Sequence, residues 1–315
     1  MRIQKISTEI QKIPLQTPFI TALRRVENVE FVRVSIITDD AKIHYGEAPA
    51  TKAITGEDLL SITEAIEQNK ELFYGLSPNE AIEKVHTLSI GSSAKACLDM
   101  AFYNMLSPLS DDAKSVKKTA ITISYNEKNK MLHDAKKAMQ NHHNILKLKF
   151  GDDIEHAIDV TLSIIKECDD AKVLVDANQA WSIDDAKKYL DAMDAKSIEL
   201  LEQPVIAKDI VGLKELTNYS KIPIVADETC FTLSDVKKVV ESKSADIINI
   251  KLMKCGGITK AKEILEYCRK KKVPVMFGSM LEGPISIAYA VALVNEYSDV
   301  VEYVDLDSPL LYKSD

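Results

Sequence analysis

LKLKFG, residues 146–151, alternates apolar and basic side chains with a period of two. That is the period of a β-strand, whose successive side chains point to opposite faces. Lys147 and Lys149 therefore share one face, and Leu146, Leu148 and Phe150 share the other. A solvated face would account for two lysines on one strand, so the meaning of the stretch depends on its surroundings.

Those surroundings are a repeat. From residue 119 onward, short apolar runs alternate with helical stretches. The runs are TAITIS (119–124), ILKLKF (145–150), KVLVDA (172–177), SIELLE (197–202), IPIVAD (222–227), DIINIK (246–251), VPVMFG (273–278) and VVEYVD (300–305). Segments such as DIEHAIDVTLSIIKE and GGITKAKEILEYCRKK separate them. Eight strand-like runs with seven intervening helices predict an α/β fold, a parallel (β/α)7β barrel of TIM type, over 119–315. A doubly wound sheet is the rival, but it usually carries a glycine-rich first turn, and the chain has neither GxGxxG nor GxxxxGK[ST].

Residues 1–118 have a different texture, predicting an α+β capping domain. IQKISTEIQKIPL and VEFVRVSIITDDAKIHYGEA alternate like strands, with DDAK placed to turn a hairpin. TGEDLLSITEAIEQNKELFYG, SPNEAIEKVHTLSI and SAKACLDMAFYNML follow with helical spacing, and Thr55 and Ser77 are the expected N-caps of the first two.

Composition narrows the function. The 315-residue chain is 46% hydrophobic and 28% charged, ordinary for a globular protein, and its net charge of −8 argues against a nucleic-acid partner. No apolar run approaches the ~18–20 residues of a membrane span. The opening MRIQKISTEIQKIPL has charges where a secretion signal needs an apolar core. The five cysteines are scattered without a CxxC pair, which disfavours disulfides and structural zinc and predicts a cytoplasmic protein. Assembly into a homo-oligomer is left open.

An ionisable residue closes each of five consecutive runs: Lys149, Asp176, Glu202, Asp227 and Lys251, spaced 24–27 residues apart. Sharing one phase of the repeat, they rim one mouth of the barrel, where barrel enzymes place their chemistry. Three carboxylates on adjacent strands repel one another in a low-dielectric pocket unless a cation relieves them. Oxygen donors without His or Cys suit Mg²⁺. The flanking lysines then face each other across a bound acid. One removes the proton α to the carboxylate, giving an enediolate whose charge the metal stabilises, and the other returns a proton to the opposite face. Lys147, beside Lys149, supplies a like charge that lowers the Lys149 pKa, and it is also a candidate contact for the substrate carboxylate.

KLK, VDANQAW, LEQP, ADET and NIKLMKCGGI resemble the muconate-lactonising branch of the enolase superfamily. PFITALR (18–24), GEAPATKAITGE (46–57), SAKACLDMAFY (93–103), GSMLEG (278–283) and VDLD (304–307) are similar to its dipeptide epimerases. The resemblance implies a Mg²⁺ site at Asp176, Glu202 and Asp227, with Lys149 and Lys251 as the two bases. It also implies that Asp305 and Asp307 hold the free ammonium of a dipeptide such as L-Ala-L-Glu. Thr122 and Ser279 then line the pocket, Arg24 reaches a substrate side-chain carboxylate, and Asn178 orients Asp176. Members of that family continue some tens of residues beyond the DxD strand to complete the capping domain, whereas Asp315 follows Asp307 by eight residues. Within the branch, the rival activities are N-acylamino-acid racemase, o-succinylbenzoate synthase and muconate cycloisomerase. Their substrates carry no ammonium and leave the aspartate pair without a purpose. A non-catalytic metal-stabilised barrel is the rival of another class.

Overall fold

The computed structural model describes residues 1–20, 25–109 and 118–313. Three antiparallel strands open the chain: β1 (Ile3–Ile20), β2 (Arg25–Thr38) and β3 (Ile43–Pro49), in the order β1-β2-β3. Along β2 the alternation predicted from sequence holds, with Val32, Val34, Ile36 and Thr38 all buried. The DDAK turn closes the β2–β3 hairpin, its Ala41 taking a left-handed φ of 61°.

Four helices follow: α1 (Lys52–Thr55), α2 (Leu59–Asn69), α3 (Pro78–Thr87) and α4 (Ser92–Leu106). Ser77 caps α3 in a reciprocal box with Glu80, as expected. Thr55 does not cap α2. It ends α1, Gly56 breaks the helix at φ 78°, and Asp58 caps α2 by accepting from Ser61 N–H at 3.0 Å. The left-handed glycine resets the chain direction three residues later than periodicity alone suggests.

The second sheet has eight parallel strands, ordered β4 to β11 without exception. They are β4 (Ile121–Ile123), β5 (Ile145–Lys149), β6 (Lys172–Asp176), β7 (Ile198–Glu202), β8 (Ile224–Ala226), β9 (Ile247–Ile250), β10 (Val275–Gly278) and β11 (Val301–Asp305). Ala120 N–H donates to Val304 O at 2.8 Å, so the strands form a ring. Between them run α5 (Lys128–Gln140), α6 (Ile154–Glu167), α7 (Ile183–Ala192), α8 (Ile210–Tyr219), α9 (Leu233–Ser242), α10 (Leu252–Cys255), α11 (Ile258–Lys271) and α12 (Pro284–Glu296), with α13 (Ser308–Leu311) at the end. Among the described residues no helix is long and apolar enough to cross a membrane.

Strands β5 to β10 are buried on both faces, apart from Lys172 at the start of β6, which explains their β-branched, apolar outer phase. Leu146, Leu148 and Phe150 pack outward under the helices. Inside, Ala120, Leu174, Leu200, Val225, Ile247 and Met276 form an apolar floor, with Ile145 and Tyr303 packed against it, so all eight strands contribute. Two residues further along each strand, on the same face, stand Thr122, Lys147, Asp176, Glu202, Asp227, Asn249, Gly278 and Asp305. A dry plug therefore sits directly below a polar mouth.

Two helices of the barrel begin with a glycine that supplies no cap of its own, and remote carboxylates fill the vacancy. Glu47 of β3 accepts from Ile285 N–H (2.8 Å) and Ser286 N–H (3.3 Å) at the start of α12. Asp99 of α4 accepts from Thr259 N–H (3.1 Å) at the start of α11. A Cβ on Gly283 would lie 2.5 Å from Glu47, and one on Gly257 would lie 2.4 Å from Asp99, so only glycine leaves room. Each carboxylate also complements the positive end of a helix dipole. The segment after α13 also reaches the first sheet. Tyr312 bridges to Leu15, and Lys313 N–H donates to Pro14 O at 2.8 Å, extending the edge at β1.

Candidate active site

Lys149 ends β5 and Lys251 follows β9, four places apart in a ring of eight strands, hence on opposite walls. Both line one central cavity, together with Thr122, Asn178, Ser279, Asp305 and Asp307. Asp176, Glu202 and Asp227 occupy the wall between the lysines and are buried almost completely. The structure thus brings together the residues singled out from sequence, with the exception of Arg24, which lies outside the described residues. Its neighbour Arg25 is exposed and pairs with Glu27 at 3.6 Å.

The charges are closely paired. Lys149 Nζ lies 2.5 Å from Asp176 Oδ2, and Lys251 Nζ lies 2.7 Å from Asp227 Oδ2. Lys147 is entirely buried and is not among the cavity-lining residues. Its ammonium lies 2.6 Å from Glu202, 2.7 Å from Asp305 and 3.1 Å from Asp176. Burial by itself would drive the Lys147 ammonium toward neutrality, but Asp305, Glu202 and Asp176 outweigh it and hold its pKa well above the usual lysine value. Burial likewise opposes the charge on Asp176 and Asp227, yet the adjacent lysines keep both carboxyls below their ordinary range. Glu202 is pushed up to about 7 by burial and by Asp176. Asp307 is pushed up to about 6 by burial and by Asp305, although Thr122 N–H donates to it at 2.7 Å.

Asn178 meets Asp176 through its backbone. Asn178 N–H donates to Asp176 Oδ1 at 2.9 Å from a left-handed turn of φ 46°, leaving the side-chain oxygen without a partner. Sequence reasoning missed several further residues. Lys254, one turn after Lys251, lies 2.6 Å from Asp227 Oδ1 and donates to the backbone oxygens of Asp227 and Asn249. Asn249 Nδ2 donates to Glu202 Oε1 at 2.7 Å. Gln203 Oε1 accepts from the N–H groups of Asp227 (2.9 Å) and Thr229 (3.1 Å), which fixes the turn after β8. The i, i+3 spacing of Lys251 and Lys254 was a readable signal. Phe19, Thr51 and Ile54, which reach the cavity from the first sheet and α1, had none.

A divalent cation suits this chemistry. Among the described residues no group of three acidic, His or Cys side chains is arranged to ligate one ion, and lysine ammonium groups pair with Asp176, Glu202 and Asp227. The donor set nevertheless fits. Glu202 Oε2 and Asp227 Oδ1 are buried without an aligned hydrogen bond. Buried carboxylates (Asp176, Glu202, Asp227, Glu228, Asp305, Asp307) and buried ammonium groups (Lys147, Lys149, Lys251, Lys254) meet at the barrel mouth. All the acceptors are hard oxygens, the preference of Mg²⁺.

Comparison with known proteins agrees with this geometry. The family described as "Enolase C-terminal domain-like" matches residues 130–313. The L-amino acid-D/L-Glu epimerase of Sulfurimonas denitrificans is 52% identical, over 99% of this chain and 95% of that protein. The substrate-liganded L-Ala-D/L-Glu epimerase from Bacillus subtilis superposes with a TM-score of 0.92 at 36% identity, covering 100% of this chain and 92% of that one. The dipeptide epimerase from Enterococcus faecalis, complexed with Mg and L-Leu-L-Tyr, superposes with a TM-score of 0.92 at 34% identity over the same shares. Opposed lysines, an acidic wall and sequence likeness along nearly the whole length converge: the chain belongs to the enolase superfamily, on its dipeptide-epimerase branch.

Proposed function

We propose that this protein is a Mg²⁺-dependent dipeptide epimerase that inverts the α-carbon of the C-terminal residue of L-Ala-Xaa dipeptides. The observation that carries the reading is the placement of Lys149 and Lys251 on opposite walls of one cavity, each beside a different carboxylate. Such a pair addresses both faces of one carbon. Lys149 Nζ takes the α-proton from one stereoisomer and Lys251 Nζ delivers a proton to the other face; the roles exchange for the other stereoisomer. Asp176, Glu202 and Asp227 would hold Mg²⁺, which would act as a Lewis acid toward the substrate carboxylate.

Asp305 and Asp307 supply the subsite for the substrate ammonium, a cation that two adjacent carboxylates stabilise. Thr122 fixes Asp307 through its backbone N–H, and Ser279 N–H donates to Asp305 O at 3.1 Å. Arg24 is assigned to an acidic second side chain, as in Ala-Glu. Lys147 is assigned to holding Asp305 against the acidic wall, with the substrate carboxylate contact expected from sequence as its second role. The reading divides the chain into a cap of residues 1–118 and a barrel of 119–315, and includes cytoplasmic residence, which the five free thiols support.

Incubation with MgCl₂ and a library of L-Ala-L-Xaa dipeptides in D₂O tests the proposal. Deuterium entering the C-terminal α-position, with inversion, is the expected result. Exchange confined to N-acylated or non-peptide acids would instead favour the racemase, synthase or cycloisomerase activities of the same branch.

A further inference from the structure

Glu228 stands directly after Asp227, lines the central cavity and is only 7% exposed, yet neither of its carboxylate oxygens has a hydrogen-bond partner. The other five buried carboxylates at the barrel mouth each accept at least one hydrogen bond. Asp176 has Lys149, Glu202 has Asn249, Asp227 has Lys251, Asp305 has Lys147 and Asp307 has Thr122. Burying a carboxylate without a partner is among the costliest things a fold can do, and such groups mark a place where a partner binds.

Glu228 is also held where it is. Gln203 Oε1 clamps the backbone N–H groups on either side of it, those of Asp227 and Thr229, and Gln203 Nε2 donates to Thr229 Oγ1 at 2.9 Å.

We propose that Glu228 belongs to the cation site, its carboxylate supplying oxygen acceptors to a hydrated divalent ion held by Asp176, Glu202 and Asp227. The proposal rests on the reading that Mg²⁺ binds at these three residues, and it adds a residue to that site. Glu228 thereby makes up for the two lysines, Lys251 and Lys254, that crowd Asp227 and offset its charge.

Calorimetric titration of MgCl₂ into metal-free wild type, Glu228→Gln and Glu228→Asp, with thermal unfolding of each protein with and without Mg²⁺, is the test. Glu228→Gln should weaken Mg²⁺ binding at least tenfold, and Glu228→Asp, which keeps the charge, should lose less. Metal-free Glu228→Gln should melt at a higher temperature than metal-free wild type, since a neutral amide is cheaper to bury, and should gain less from Mg²⁺. A merely structural glutamate would show the opposite order in the metal-free proteins. Equal Mg²⁺ affinity of wild type and Glu228→Gln, or an effect confined to the KM for dipeptides, overturns this proposal alone. Absence of Mg²⁺ binding by the wild type overturns both it and the reading beneath it.

Discussion

Lys147 and Asp305 are joined by a 2.7 Å ion pair that crosses from β5 to β11 over the intervening β4. The same ammonium reaches Asp176 and Glu202, so one lysine ties the acidic wall to the aspartate pair on the far side of the ring closure. Replacing it by Met leaves three buried carboxylates short of a cation. Breaking a buried pair of this kind costs roughly 3–5 kcal/mol. Lys147→Met should show that loss in urea denaturation, and MgCl₂ should restore part of it, because a divalent ion supplies the missing charge. An identical loss with and without MgCl₂ would contradict a shared electrostatic site.

The opposed lysines separate exchange from inversion. Lys149→Ala should retain Lys251-dependent deuterium exchange with one stereoisomer while losing net epimerisation by about 10²–10⁴-fold, the usual contribution of a general base. Lys251→Ala should show the mirror preference. Proton NMR in D₂O reads both quantities, and equal loss of exchange with both isomers would place the two amines on one face.

Asp305 and Asp307 should act on the substrate's ammonium alone. Asp307→Asn is expected to raise KM for free dipeptides at least tenfold, with a smaller change in kcat, and to leave any residual turnover of N-acetylated dipeptides unaltered. Steady-state kinetics on matched free and acetylated substrates decides the matter.

Glu282, buried in the loop beside the cavity, makes a prediction about pH. Burial pushes its carboxyl up to about 7, against an ordinary value of 4.5, despite hydrogen bonds from Ser286 and Met280. The folded state therefore holds this proton more tightly than the unfolded chain does. Its contribution to stability is complete below about pH 4.5, declines as pH rises, and is gone above about 7. Glu282→Gln should remove its share of the decline, on the order of 3 kcal/mol between pH 5 and pH 8 in urea titrations, leaving the shares of Glu202 and Asp307 in place.

Glu47 anchors the first sheet to the barrel. Arg33 donates to its Oε1 at 2.6 and 3.0 Å, while its Oε2 serves the start of α12. Glu47→Ala strands two backbone N–H groups and a half-buried guanidinium, with an expected loss of about 3–5 kcal/mol. Because α12 follows the Ser279–Gly283 loop at the cavity, kcat/KM should fall as well. Full activity in a destabilised variant would confine Glu47 to a purely architectural role.

Much of this site could be read from the chain. Lys149, Asp176, Glu202, Asp227 and Lys251 were visible because a period of two assigns each residue a face and the repeat keeps that face constant. Asp305 ends β11 in the same phase, but Asp307, singled out by the resemblance of VDLD and expected on the same strand, lies beyond it at the start of α13. Lys254, Asn249 and Gln203 were not legible, since their value lies in what they touch on other strands. The caps supplied by Glu47 and Asp99 were hidden for the same reason: the local signal at Gly257 and Gly283 is a missing cap, and its replacement comes from another part of the fold. Thr55 was misjudged because a left-handed glycine moved the helix start to follow Asp58.

The amino-acid sequence alone determined which side chains point into the barrel, because strand geometry leaves only two faces and an apolar floor claims the rest of the inner one. The tertiary structure decided which ammonium meets which carboxylate. That choice depends on how the ring closes and on the stagger between neighbouring strands, and over distances of a few ångströms in a medium of low dielectric it governs the charge each group carries.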